Sequence, residues 1–308
     1  MRKFLQYSAL LFSTLAGCQS SPDEALRVSV PRKDVACQNM ERDTILAASG
    51  QRTDFRTLVR EASQADYVLI GEVHDEPAHH AAQTRLIAAL GTSRRFKSVL
   101  FEMLEPVQDD AANAFTAGKI SLNDLKVSFQ WTERGWPIWE AYEPIFAAAK
   151  ASGLHIQHAG LEAELVRHVN SFGFLGLPRR IRQQLDIKPD DKFVVDFERL
   201  KSVVASSHES NATTGAPLAI SQYAKDAYIA HRLASTGRAI LIAGNGHVRN
   251  DIGVPGHLRK YRPSVRVVTI GLKTDESGEE DTERSATAKP HYDYIWVTAR
   301  QCPQSRTE

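Results

Sequence analysis

Four short apolar runs, Tyr67–Ile70, Ser98–Phe101, Ala239–Ile242 and Val265–Val268, recur along the chain with long helical stretches between them. This spacing restricts the fold more than any other feature. Runs of four residues are too short to be core helices and read as mostly buried strands. Helical patterns cover Glu76–Leu90, Trp139–Ala151 and Ile220–Thr236. Strands that alternate with helices pair in parallel, because a parallel neighbour is reached only through a crossover that packs back on the sheet. The expectation is therefore an α/β fold: a largely parallel sheet with helices on both faces. His155–Ala159 is a weaker strand and Tyr292–Thr298 a final one. From Glu162 to Thr236 there is no strand pattern, and the stretch reads as a helical insertion whose segment Phe172-Gly173-Phe174-Leu175-Gly176-Leu177 is suited to capping a site. Ser206–Ala216 is polar with glycine, Thr274–Ser285 is acidic with no apolar residue, and both read as loops.

Of the 308 residues, 38 are Lys or Arg and 37 Asp or Glu, a formal net charge of +1. No bulk attraction toward a polyanion follows, so nucleic acid is not an expected partner. Three cysteines are too few for a disulfide-built scaffold and include no C-x-x-C zinc pair. Arg2 and Lys3 precede an apolar run from Phe4 to Leu15, too short for a bilayer and suited to a signal peptide. The run ends in Leu15-Ala16-Gly17-Cys18, which resembles the lipobox of bacterial lipoproteins. The resemblance implies cleavage after residue 17 and a lipid on Cys18, with Gln19 favouring the outer membrane of a Gram-negative envelope. Residues 18–35 read as a polar tether, 36–303 as one domain and 304–308 as a tail. Export would place Cys37 and Cys302 in an oxidising compartment, where they are expected to form one disulfide.

In an open parallel sheet ligands gather beyond the carboxyl ends of the strands. Gly71-Glu72-Val73-His74-Asp75 follows the first strand, with His79 and His80 in the next helix, and Glu102 follows the second. Glu162 comes after the weak third strand, and Gly244-Asn245-Gly246-His247 after the fourth. Imidazole with carboxylate suits two chemistries: ligation of a divalent metal that activates water, or proton transfer in a metal-free site. Glu72, His74, Glu102 and His247 are the catalytic or ligand-crevice candidates, and Glu72, His74 and His247 the candidate metal ligands.

Other chemistries are excluded. Gly244-Asn245-Gly246 is half a dinucleotide fingerprint, with Arg249 where the third glycine belongs. There is no P-loop, no G-x-S-x-G elbow and no C-x-x-C-H haem attachment. The motifs together resemble the ChaN family of iron-regulated, haem-binding lipoproteins, within the wider Tiki, TraB and erythromycin-esterase-like superfamily. The residues that carry the resemblance are Val68–Asp75 with His79, His80 and Gln83; Phe101-Glu102-Met103-Leu104; and Gly135-Trp136-Pro137 with Tyr142 and Pro144. Ile242–His247 with Gly253-Val254-Pro255 completes the set.

What the resemblance implies is haem as the ligand, a homodimer that pairs two cofacial haems, and service in haem or iron uptake with an outer-membrane receptor as a further partner. Cys is set aside and Met in the mature chain is limited to Met40 and Met103, so Tyr or His is the expected axial ligand. Tyr142 comes first, then Tyr223 and Tyr228, with His79 and His80 as further candidates. Trp136, Trp139, Phe172 and Phe174 are candidates for apolar cover. The enzymatic relatives imply the alternative, a hydrolase acting through Glu72, His74, Glu102 and His247, with a divalent metal in the Tiki branch.

Overall fold

The computed structural model describes residues 43–187, 197–203, 212–274 and 290–298. The leader, Cys18, the tether, Cys37, Cys302 and most of both expected loops lie outside the described residues. Chain order is β1 (Thr44–Ala47), β2 (Arg52–Thr53), α1 (Phe55–Ala62), β3 (Tyr67–Ile70), α2 (Pro77–Gly91), β4 (Ser98–Phe101), α3 (Asp109–Thr116), α4 (Leu122–Ser128) and α5 (Trp139–Ala151). Then follow β5 (His155–His158), α6 (Ala163–Phe172), α7 (Arg179–Gln184), α8 (Ala212–Thr236), β6 (Ala239–Ile242), α9 (Val254–Tyr261), β7 (Val267–Thr274) and β8 (Tyr294–Thr298).

One eight-stranded sheet runs β2-β1-β8-β7-β3-β6-β4-β5. Every pair from β8 to β5 is parallel, and β1 is antiparallel to both β2 and β8. The mostly parallel α/β architecture is as the apolar runs predict. Alternation along the strands feeds two cores. Val68, Ile70, Val99, Phe101, Ile240 and Ile242 pack on one face with Leu86, Leu90 and Phe146. Tyr67, Leu69, Leu100 and Leu241 pack on the other with Ile229, Leu233 and Leu258.

Besides shifts of one or two residues at α2, β5 and β8, three elements differ from expectation. The β1–β2 hairpin was not expected: Thr44–Ala47 is half-buried on average and offers no continuous apolar run. β7 starts two residues late, after a turn in which Val265 N–H donates to Arg262 O, and runs on to Thr274 because β8 pairs with it as far as Thr298. α8 begins at Ala212, eight residues before Ile220. Gly215 and Pro217 read as loop punctuation, yet Ala219 and Tyr223 bury against Leu200 and Ile252, and this packing carries the helix through them.

Register positions the site. Ile70 and Phe101 both pair with Ile242, so β3, β6 and β4 end level and Gly71, Glu102 and Ala243 leave the sheet side by side. Gly71 is there for close approach. A Cβ on it would lie 2.1 Å from Asn245 Oδ1 and 2.9 Å from Val248 Cγ2. Asn245 is itself committed, donating to Leu272 O at 2.6 Å and accepting from Leu272 N–H at 3.1 Å. Gly71→Ala is expected to cost about 1–3 kcal/mol through this overlap. A denaturant midpoint indistinguishable from wild type would refute the crowding argument.

Candidate functional site

Two hydrogen-bonded networks meet beyond the sheet's carboxyl edge. The first is built on Glu72, which is buried. Its Oε1 accepts from the Tyr142 hydroxyl at 2.6 Å and lies 2.6 Å from His74 Nδ1. Its Oε2 accepts from Gln83 Nε2 at 2.8 Å, and His80 Nε2 stands 3.5 Å away. Local sequence explains the arrangement. Glu76 N-caps α2 by accepting from Ala78 N–H, and Pro77 begins the helix where its missing N–H is harmless. The cap directs α2 so that His79, His80 and Gln83 lie under the strand end.

His74 is the accessible member, its side chain 36% exposed, with Trp136 edge-on at 5.3 Å. Burial disfavours its imidazolium, but the Glu72 bond and the Glu102 charge outweigh burial and raise its pKa. His79 and His80 are buried. Burial pushes the first down to about 4 and the second down as well, so both are neutral at pH 7. His79 Nδ1 accepts from Val73 N–H at 3.0 Å, and His80 lies on the Tyr142 ring at 4.0 Å between centroids.

The second network is built on Glu102. Oε1 lies 2.6 Å from Lys225 Nζ and 2.9 Å from His247 Nε2, while Oε2 accepts from Gly244 N–H at 2.9 Å. His247 Nδ1 is 2.5 Å from Asp226 Oδ1 and 2.8 Å from Gln222 Nε2. Burial opposes the Glu102 charge, but His247 and Lys225 hold its carboxyl well below the ordinary range. Burial likewise opposes the His247 cation, and the Glu102 and Asp226 carboxylates raise it to about 9 in spite of Lys225. Asp226 is pushed up by burial to about 6.

The networks approach each other at His74 Nε2 and Glu102 Oε2, 4.0 Å apart. A Cβ on Gly244 would meet His74 Nε2 at 3.2 Å, so the glycine lets the imidazole lie against the backbone. Glu72, His74, Glu102 and His247 thus come together. Glu162 does not: it is exposed, at the N-cap of α6, and makes no side-chain cap bond. Lys225, Asp226 and Gln222 escaped the reading of strand ends. Their spacing is the signal that finds them, since residues three and four apart share one face of α8. Chemically the crevice offers a carboxylate-backed imidazole and a chain in which the half-buried Lys225 ammonium meets the buried carboxylate–imidazole–carboxylate run of Glu102, His247 and Asp226. Among the described residues no three of His, Cys, Asp and Glu are arranged to hold a metal ion.

The other haem candidates fall elsewhere. Tyr142 is fully buried, and burial together with Glu72 raises its pKa and keeps the phenol neutral. Tyr223 is buried edge-on to His257, its hydroxyl 3.4 Å from Lys260 Nζ. Tyr228 is half-buried, and its hydroxyl lies 3.2 Å from His158 Nε2. His158 Nδ1 is in turn 2.6 Å from Asp109 Oδ2, and its backbone N–H donates to Asp109 Oδ1. Among the apolar candidates Trp139 is core, stacked on Phe146, whereas Phe174 packs on Tyr223 and Phe172 is 67% exposed.

A family model described as haem-binding uptake, Tiki superfamily, ChaN, matches residues 58–258. Comparison with curated proteins gives no match. Among solved structures, ChaN of Campylobacter jejuni with cofacial haem is 22% identical, with 83% of this chain and 96% of that one covered, at a TM-score of 0.66. At that identity the likeness concerns the fold. A type III effector (14% identical; 80% and 93% covered; TM-score 0.44) and an erythromycin esterase in its open conformation (14% identical; 75% and 77% covered; TM-score 0.42) are more distant.

Proposed function

The chain belongs to the haem-binding ChaN family of the Tiki superfamily, and from that premise we propose that it captures haem at the cell envelope for iron acquisition. In this reading it is a homodimer tethered by a lipid on Cys18 to the outer membrane, passing its cargo to an outer-membrane receptor. The observation that carries the reading is the family match across both strand-end motifs, Glu72 to His74 and Gly244 to His247.

The residues present suit an iron porphyrin. A tyrosine ligates ferric iron as phenolate, so it needs a neighbour that takes its proton. Tyr228 has one in His158, backed by Asp109. Burial works against the Tyr228 phenolate and raises its pKa, which makes that neighbour necessary. Phe174 packs in the same apolar cluster as Tyr228, and the same capping segment exposes Phe172 and Leu175, which supplies apolar cover. Tyr228 is accordingly the residue that would hold the iron, in preference to Tyr142, whose hydroxyl is committed to Glu72.

Titration of hemin into the purified protein is expected to give a saturable Soret change with a phenolate-to-iron charge-transfer band, and Tyr228→Phe to remove the band. A band that survives in the variant would reassign the ligand. No saturable change in wild type would defeat the haem reading itself. One observation favours a second reading, hydrolysis: the Glu72–His74 pair turns an accessible imidazole into the crevice, as a general base for water requires.

A further inference from the structure

Glu102 decides what else the crevice can hold. A carboxylate offers about four acceptor positions. On Glu102 three are taken, by the Lys225 ammonium at 2.6 Å, by His247 Nε2 at 2.9 Å and by the Gly244 N–H at 2.9 Å. His247 is the next donor a cation would want, and it lies between two carboxylates, with Asp226 Oδ1 at 2.5 Å on the other nitrogen. Both ring nitrogens are therefore occupied, Nε2 by Glu102 and Nδ1 by Asp226 with Gln222 Nε2 at 2.8 Å beside it, and neither is open toward an ion. Glu72 is committed in the same way, to Tyr142, His74 and Gln83.

A divalent ion needs deprotonated N and O donors converging at about 2.0–2.2 Å. Glu72, His74 and His247 are the ligands that the strand-end residues suggest for such a metal, and this donor set does not fit one. What meets Glu102 instead is a cation already attached to the chain. Lys225 is delivered by α8, half-buried with its side chain 25% exposed, and its charge is matched to the carboxylate as an ion's would be.

We infer that Lys225 stands in for a divalent metal in this crevice: its tethered ammonium neutralises Glu102, organises His247 and Asp226 behind it, and makes the site metal-independent. The inference is separate from the haem reading, since it concerns the strand-end crevice and no residue assigned to the iron. It also fixes the chemistry open to the crevice. Toward the open side the crevice then presents the partly exposed His74 and Lys225 in place of a bound ion.

The experiment is a titration of Co²⁺, read by its d–d absorption, and of Zn²⁺, read by calorimetry, into the untagged full chain. Wild type is expected to show no saturable uptake. Lys225→Met keeps the length of the stem and removes the charge, leaving Glu102, His247 and His74 to a metal, and is expected to take up one equivalent saturably over the range in which wild type takes up none. Lys225→Gln serves beside it, with circular dichroism showing that each variant folds. One equivalent of metal in wild type, as purified or on titration, overturns the inference. So do folded Met and Gln variants that bind no better than wild type. Should neither variant fold, the wild-type titration decides alone: saturable uptake defeats the inference, and none upholds the exclusion.

Discussion

Glu102→Ala is expected to lower the melting temperature by roughly 10 °C. Breaking a buried pair by deleting one partner costs about 3–5 kcal/mol, because the remaining charge is left without compensation. For a domain of this size about 1 kcal/mol moves the midpoint by about 2–4 °C. Here two cations lose their partner at once. Lys225 and His247 share one oxygen of Glu102, and without it they face each other with Asp226 as the nearest countercharge. Gly244 N–H loses its acceptor in the same step. An exposed pair makes the control: Lys126 and Glu140 are 3.1 Å apart with side chains 36% and 65% exposed, and Glu140→Ala should cost no more than about 1 kcal/mol. Thermal melts of the two variants by circular dichroism give the comparison, and equal midpoints would show that the buried network adds nothing to stability.

That network also marks the limit of what the sequence discloses. Tyr67–Ile70, Ser98–Phe101 and Ala239–Ile242 are legible because a strand buried on both faces must be apolar throughout, and their carboxyl ends carry Glu72, Glu102 and His247 to one place as a matter of topology. Thr44–Ala47 is not legible, since at the antiparallel end of the sheet half-buried residues suffice. On α8, Lys225 and Asp226 sit in a helix pattern where charge ordinarily means a solvated face. Only the packing of that helix over the strand ends turns their side chains inward. Tyr142 shows the converse. An aromatic residue beside a Trp-Pro segment suggests a ligand-facing phenol, and the fold spends that hydroxyl on Glu72, a contact 70 residues away in sequence that no local pattern encodes. His79 and His80, which a helix surface would expose, are buried because α2 packs along α5, with His80 on the Tyr142 ring and His79 accepting from Val73 N–H just beyond β3.

Stability should fall as pH rises through the interval from 6.5 to about 9, and His247 is the reason. In the unfolded chain its imidazole titrates near the ordinary value of 6.5, and in the fold Glu102 and Asp226 outweigh burial and Lys225 to hold the proton to about 9. Across that interval the native state binds a proton that the unfolded state has released, so the slope of unfolding free energy against pH is negative. The stabilisation is complete below the lower bound and gone above the upper one, and the loss is on the order of 3 kcal/mol. Asp226, at about 6, has mostly ionised before the interval is crossed. His74, also raised, acts in the same direction. His247→Gln separates the two histidines, because an amide can still donate to Glu102 but has nothing to titrate. Urea denaturation at several pH values should give a steep decline for wild type and a shallow one, due to His74, for the variant. Parallel slopes would mean that His247 is not the group that holds the proton, and that the charge on Glu102 is balanced by Lys225 alone.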